Sequence, residues 1–418
     1  MIEVHDTLRA DAMLGTVPGG TTVQRALQAV RQHLGMSVAY VSRFEGDRAV
    51  FREVDAPGLE AMIKPGDSQS LDDVYCRHIL AGRLPELIPD TAAEPFAMAL
   101  PITKAISIGS HMSIPIRLPD GSPYGMFCCL GFAADQSLNP RDLQMMRAFA
   151  ELAAFEINRD LEGTAAKRAC SARIEAVLAD RSFGIVYQPI VNLDTDGVVG
   201  FECLSRFATV PQRTPDLWFA EAAVVGMGAT LEIAAIEAAL AAHAVLPPST
   251  YLAVNASPET IMSAGFAQAL RSVDPTRLVL EITEHASIGD YAGLLATLDD
   301  LRGLGMRLAV DDAGAGYASF QHILDLRPDL IKLDMSLTRN IDLDLGRQAL
   351  TAAMVGFARQ TGSRIIAEGV ETAAELAALR ALGIDRAQGY FLGRPSSLAD
   401  AVQLCAETAA LHETVAVA

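Results

Sequence analysis

Residues 306–317, MRLAVDDAGAGY, read together with 329–334, DLIKLD, and 363–371, SRIIAEGVE, decide the fold. Each stretch opens with apolar β-formers and turns to ionisable groups at its C-terminal end, the pattern of a short buried strand that carries charge at one tip. The same form recurs upstream in GVVGFECLSRF at 197–207, TYLAVNAS at 250–257 and RLVLEITE at 277–284. The tips hold Glu202, Asn255, Glu281, Asp311, Asp312, Lys332 and Glu368. Carboxylates are poor core residues and good ligands for hard cations. Parallel strands alternating with helices close into a barrel whose C-terminal strand ends share one mouth, so polar groups spread over about 170 residues would converge there.

Outward from these stretches, strands and helices alternate from GIVYQPIV at 184–191, through a helix around Leu217–Leu246, to AQGYFLG at 387–393. Eight candidate strands in about 235 residues suit an α/β barrel of the TIM type. An open doubly wound sheet would gather ligands at one crevice, and charged tips on five or more strands fit a closed ring better. The N-terminal half has a different rhythm. A helix over TTVQRALQAVRQHLG is followed by β-rich stretches around Glu45-Gly46-Asp47, a short helix ended by Gly82, a buried strand at ELIPD and a hairpin around Asp120-Gly121. That order predicts an α+β domain on an antiparallel sheet. A helix then runs from Asn139 to Gly163, with Leu143, Met146, Ala150, Ala153 and Ile157 at three- and four-residue steps. The stripe is either a coiled-coil seam or the face of a helix packed on its own sheet. A second helical stretch follows Gly163. The expected organisation is an N-terminal segment 1–20, an α+β domain 21–160, a helical connector 161–178 and a barrel 179–418.

At 418 residues, half of them hydrophobic, two domains with substantial cores are expected. A net charge of −18 argues against a nucleic-acid polymer as partner, since phosphate neutralisation needs clustered Lys and Arg. A small anionic substrate remains compatible where bound cations reverse the local sign. The six cysteines lack CxxC spacing and read as reduced thiols of a cytoplasmic protein. The first residues, MIEVHDTLRADAMLGTVPGG, lack the apolar stretch of a signal peptide and no apolar run approaches the ~18 residues needed to span a membrane, so a soluble, intracellular protein is expected.

Glu202, Asn255, Glu281 and Asp311 form a plausible oxygen donor set for Mg²⁺ or Mn²⁺, and Asp312 could reach a second ion bridged by Asp311. Two such ions suit hydrolysis of a phosphate ester. Lys332 and Glu368 then serve as proton-accepting or water-orienting groups. Any one of these carboxylates alone reads as a helix cap or a solvated charge. Six strand ends together do not.

In chain order, Tyr187-Gln188-Pro189-Ile190, Glu202-Cys203-Leu204-Ser205-Arg206, Asn255 in VNASP, Glu281 to Glu284, Asp311-Asp312, Lys332 with Asp334, Glu368 to Glu371 and Gln388-Gly389-Tyr390 resemble the motifs of EAL-domain cyclic di-GMP phosphodiesterases, over residues ~176 to 410. The resemblance implies a barrel enzyme that linearises cyclic di-GMP to pGpG with two Mg²⁺ or Mn²⁺ ions. It implies that Glu202, Asn255, Glu281 and Asp311 ligate one ion and Asp311 with Asp312 the other, and that Lys332 and Glu368 bind or deprotonate the attacking water. Gln188, Leu204, Arg206, Asn255 and Gln388 match substrate-contacting positions. Glu371 and Gln388 resemble partners of the metal waters, and Glu284 the residue holding the following loop. Cys203 stands where the family's name has Ala, and Ala313 and Ala315 replace the usual Phe and Thr, which bears on how tightly that loop is held. The N-terminal half resembles a GAF sensory domain over residues ~20 to 160, with segments such as LPELIPDT at 84–91. Its ligand, if it has one, is not legible, and Cys76 beside His78 reads as a buried thiol more readily than as a chromophore anchor. Both families commonly pair, so a homodimer is expected. The alternatives are a receptor that binds cyclic di-GMP without cleaving it, and a different metal-dependent barrel enzyme such as a lyase with Lys332 as base.

Overall fold

The structure, a computed structural model, describes residues 20–209, 212–283, 289–313 and 319–417. Glu284 and Ala315 lie outside the described residues. The chain divides into two compact units, Met1–Ala166 and Lys167–Ala418.

In the first unit, strands β1 (Val38–Glu45), β2 (Arg48–Asp55), β3 (Ser68–Ser70), β4 (Leu87–Ile88), β5 (Ser110–Arg117) and β6 (Pro123–Gly131) form an antiparallel sheet in the order β3-β2-β1-β6-β5-β4. Side chains alternate across a strand, so the sheet has two apolar faces. Ala39, Val41, Ile114 and Phe127 face the helix Thr22–His33, which Thr21 caps by accepting the Gln24 N–H. Tyr40, Met126, Cys128 and Leu130 lie on the other face with the short helix Tyr75–Leu80. Met146, Ala150 and Ala153 are buried against the first face, with Leu143 and Ile157 at its margin. The stripe is therefore the contact of a helix with its own sheet. That helix runs unbroken over Pro140–Asp180, which corrects the stop expected at Gly163. A glycine inside an exposed helix costs only about 1 kcal/mol relative to Ala, too little to end it.

The second unit is a closed eight-stranded barrel: β7 (Phe183–Asn192), β8 (Val198–Phe207), β9 (Tyr251–Asn255), β10 (Leu278–Thr283), β11 (Arg307–Ala313), β12 (Leu330–Leu333), β13 (Arg364–Ala367) and β14 (Arg386–Ala387). Seven strands are parallel, and β7 runs antiparallel to both its neighbours, β8 and β14. This corrects the all-parallel expectation. Residues 193–197 between β7 and β8 are too few for the crossover of a dozen or more residues that a parallel connection requires. Of AQGYFLG only Ala387 is strand. The helix expected around Leu217–Leu246 is two, Pro215–Val224 and Gly228–Leu240, broken where Gly226 takes a left-handed φ of 74°.

Alternation along the strands positions the site. Outward residues such as Leu252, Leu280, Val310, Ile331 and Ile365 pack in the core that also holds the surrounding helices' apolar side chains. Ile190, Tyr251, Ala253, Val279, Ala309, Leu330 and Ile366 form a separate cluster inside the ring. Two residues further along β9, β10, β11 and β12 the same inward parity brings Asn255, Glu281, Asp311 and Lys332, and just past the end of β13 it brings Glu368.

Candidate active site

Lys332 is the centre of the mouth. The residue is 0% exposed. Its Nζ lies 2.9 Å from Glu281 Oε2, 2.9 Å from Glu368 Oε1, 3.1 Å from Asp311 Oδ1 and 3.4 Å from Glu202 Oε1. Four carboxylates around one ammonium leave a formal excess of negative charge in a place with little water. The titration of the groups reflects it. Burial pushes Lys332 down, but the four carboxylates more than offset this and hold its pKa well above the ordinary lysine range. Burial, with the charges of Glu202 and Asp311, drives Glu281 well above the carboxylate range against the pull of Lys332. Burial and the charges of Asp311 and Glu202 raise Glu368 to about 8, again with Lys332 opposing. Burial acts on Glu202 too, yet Lys332 and hydrogen bonds from Gln388 and Asn255 bring it below the ordinary value.

The oxygens fall into two sets that share Asp311. One oxygen each of Glu202, Glu281 and Asp311 lies within 4.8 Å of the others, and so do those of Asp311, Asp312 and Glu368. Asn255, the last residue of β9, places its amide 3.4 Å from Glu202 Oε1. Glu281 Oε1 and Gln388 Oε1 are buried with no hydrogen-bond partner. Buried acceptors of this kind call for a cation or a donor. Oxygen donors, excess negative charge and orphaned acceptors together fit hard divalent cations better than they fit a closed ion-pair network. Asp312 sits at φ 58°, a conformation uncommon outside glycine, with its N–H on Asp311 Oδ1 at 3.0 Å. Strain of this sort is tolerated where an irregularity in a strand, here between Val310 and Ala313 of β11, must aim two neighbouring carboxylates.

Of the other sequence-derived positions, Gln188 on β7 stands in register with Glu202. Gln388 donates to Glu202 Oε2 and reaches Gln188 Oε1 at 3.4 Å, so both glutamines join the cluster. Leu204 and Arg206 follow Glu202 at two-residue steps on β8, the first half-buried and the second exposed with its Nη1 on the Ser205 carbonyl at 2.8 Å. Glu202 itself is mid-strand and not at a tip, because β8 continues to Phe207. Glu371 is exposed and pairs with Arg339 at 2.9 Å. The sequence reading missed two supports of this loop. Thr338 Oγ1 donates to the Glu368 carbonyl. Buried Glu375 accepts from the backbone N–H groups of Glu371, Thr372 and Asn340 at 2.8, 3.0 and 2.8 Å. The Thr372…Glu375 capping box was visible in the sequence as T-x-x-E. Cys203 points out of the barrel into the apolar core, where a thiol is tolerated.

With this geometry in hand, the comparisons with known proteins are specific. The EAL domain family model matches residues 171–395, and the GAF domain model matches residues 20–158. A cyclic di-GMP phosphodiesterase of Pseudomonas aeruginosa is 32% identical over 237 residues, covering 53% of this chain and 40% of its own length. The cyclic di-GMP phosphodiesterase PdeF of Escherichia coli is 30% identical over 258 residues, covering 59% of this chain and 34% of its own. Among solved structures, the EAL enzyme Bd1971 with cAMP and cyclic di-GMP bound covers 88% of this chain and 93% of that one, at 17% identity and a TM-score of 0.55, a likeness of fold. The chain spans less than half the length of the curated relatives it matches here. Among the described residues no helix is long and apolar enough to cross a membrane.

Proposed function

The chain belongs to the EAL domain family, and from that premise we propose that its barrel hydrolyses cyclic di-GMP to linear pGpG using two divalent cations, Mg²⁺ or Mn²⁺. The observation that carries this reading is the convergence of Glu202, Glu281, Asp311 and Glu368 on one buried ammonium, with Asn255, Asp312 and Gln388 beside them. Glu202, Asn255, Glu281 and Asp311 would hold one cation, and Asp311 with Asp312 the other. When bound, the cations supply charge neutralisation at the phosphodiester and an acidified water. Lys332, fixed by its carboxylates, orients the attacking water, and Glu368 takes its proton as the water oxygen bonds to phosphorus and the 3′ oxygen leaves. Gln188, Leu204 and Arg206 border the space for the dinucleotide, Arg206 with a guanidinium suited to a phosphate or a guanine edge.

In the same reading the enzyme works as a cytoplasmic homodimer in second-messenger signalling, and the GAF domain, through the helical connector 161–178, responds to a small molecule and sets the activity. The connector is continuous helix through Gly163. One residue inserted there shifts helical phase by about 100°, and this is expected to disturb activity more than a seven-residue insertion does. The deciding experiment incubates purified protein with cyclic di-GMP and Mg²⁺ or Mn²⁺ and follows pGpG by chromatography. Metal-dependent product supports the enzyme. Saturable binding without product identifies a receptor, and neither binding nor product removes the dinucleotide as ligand.

A further inference from the structure

The opposite end of the barrel carries a second concentration of charge, of the other sign. Arg307, Arg364 and Arg386 are the first residues of β11, β13 and β14, and they share the inward parity of Asp311 further along β11 and of Glu368 and Gln388, each the residue just past the end of its strand. Tyr251, first residue of β9, lies among them. The Arg307 guanidinium carbon sits 4.5 Å from the centre of the Tyr251 ring and that of Arg386 5.7 Å from it. The ring fills the space beside Gly200, where a Cβ would come within 2.6 Å of it. Arg386 is only 7% exposed, its Nε has no hydrogen-bond partner, and its Nη1 reaches no better than Tyr251 Oη at 3.5 Å.

None of the three arginines has a carboxylate of the described residues within 4.0 Å. Asp329 is the acidic group that acts on Arg307, and one of its oxygens already accepts the Leu308 N–H at 2.8 Å. Burial, with the charges of Arg386 and Arg364, holds the Arg307 guanidinium below its ordinary value, with Tyr251 and Asp329 opposing. Burying Arg386 without a counter-charge is costly, and the charges of half-buried Arg307 and exposed Arg364 on the neighbouring strands add repulsion. A chain with a net charge of −18 has ample carboxylates to neutralise such a group, yet among the described residues none forms an ion pair with these three arginines. Arg364 itself is exposed, and it also borders a cavity of about 420 Å³ with Arg359, Arg380, Asp194 and Asp385, one that neither Arg307 nor Arg386 lines.

We propose that the floor of the barrel is a binding site for a small tetrahedral oxyanion of the phosphate class, held by Arg307, Arg364 and Arg386 at the end of the barrel remote from the carboxylate mouth. The planar fork of arginine matches such an oxyanion, and Arg386 Nε is a donor already desolvated and unpaired.

The test uses the full chain in EDTA, in phosphate-free buffer of constant ionic strength, titrated with inorganic phosphate and, in a parallel arm, with glycerol phosphate. Thermal unfolding is followed by Trp218 fluorescence, and binding by calorimetry. Phosphate is expected to raise the unfolding midpoint saturably by a few degrees. Arg307→Gln and Arg386→Gln are each expected to weaken apparent affinity at least about tenfold, while Glu202→Ala retains it. Binding of both anions identifies a phosphorylated metabolite as an admissible ligand, and binding of phosphate alone restricts the site to the free ion. The absence of a saturable response in the unsubstituted protein overturns the proposal. So does a response that both arginine variants keep, or one that Glu202→Ala abolishes. Should Arg386→Gln fail to fold, the half-exposed Arg307→Gln decides.

Discussion

Replacing Lys332 with Met tests the electrostatic logic of the mouth, because Met keeps most of the volume and removes the charge. The ammonium is within 2.9 to 3.4 Å of oxygens from Glu202, Glu281, Asp311 and Glu368. Taking one partner from a buried ion pair typically costs about 3–5 kcal/mol, and here one substitution strips the counter-ion from four carboxylates at once. In EDTA, Lys332→Met is therefore expected to lose at least that much stability of the barrel unit. A divalent cation should then return more to the variant than to the unsubstituted protein, since its carboxylates are no longer shared with an ammonium. A ligand at a hundred times its Kd contributes about 2.7 kcal/mol, which sets the scale of the recovery. The assay is urea unfolding with and without Mg²⁺ or Mn²⁺, read by the fluorescence of Trp218. This is the chain's one tryptophan, and it is buried within the second unit, so the signal reports on that unit. Turnover of cyclic di-GMP should fall about 10²–10⁴-fold in the same variant even at saturating metal. A variant within about 1 kcal/mol of the parent in EDTA, with an equal response to metal, would refute the assignment of Lys332 as the counter-ion of the cluster.

The remaining expectations concern the groups around it. Glu202→Ala should reduce metal-dependent turnover by more than about a hundredfold with the barrel still folded; parental rates at saturating metal would remove Glu202 from the site. Gln388→Ala, which deletes the donor to Glu202 Oε2, should weaken metal affinity about 10–100-fold while sparing the rate at saturation, a split that a general loss of structure does not give. Glu375→Ala should cost about 1–3 kcal/mol, because three backbone N–H groups lose their acceptor, and it should raise the metal requirement through the loop that holds Glu368; unchanged unfolding would show that water replaces the carboxylate. Hydrogen bonds from Arg213 and Arg173, against the effect of burial, hold Glu221 at about 2, below its ordinary 4.5. A depressed carboxylate stabilises above its unfolded value and loses that contribution as pH falls through its folded one. Glu221→Gln should thus cost about 1 kcal/mol at pH 7, allowing for solvent screening, and progressively less toward pH 2; an equal deficit at both ends of that range counts against the ion pairs.

Much of the barrel was legible because two periodicities agree. On β10, Val279 and Glu281 share a face, and on β12, Leu330 and Lys332 do; an apolar residue two positions before an ionisable one marks that group as inward and not as a surface charge. Position along a strand was less legible. Glu202 reads as a tip because Arg206 and the turn follow soon after, yet β8 runs on to Phe207, and only pairing with β7 makes it do so. The direction of β7 depends on the length of a loop, and the continuity of Pro140–Asp180 on a glycine whose cost is smaller than the packing on either side of it. The arginine floor escaped notice for a related reason. Arg307, Arg364 and Arg386 each stand at the start of a strand, where a single basic residue is ordinary, and nothing local distinguishes them from Arg277, which is spent on the carbonyls of His243, Leu246, Pro247 and Thr250. Their meaning comes from closure: once the ring forms, inward parity at the first residue converges as surely as inward parity near the last. The closure that gathers carboxylates at the mouth therefore gathers guanidinium groups at the floor, and the two ends attract ions of opposite sign.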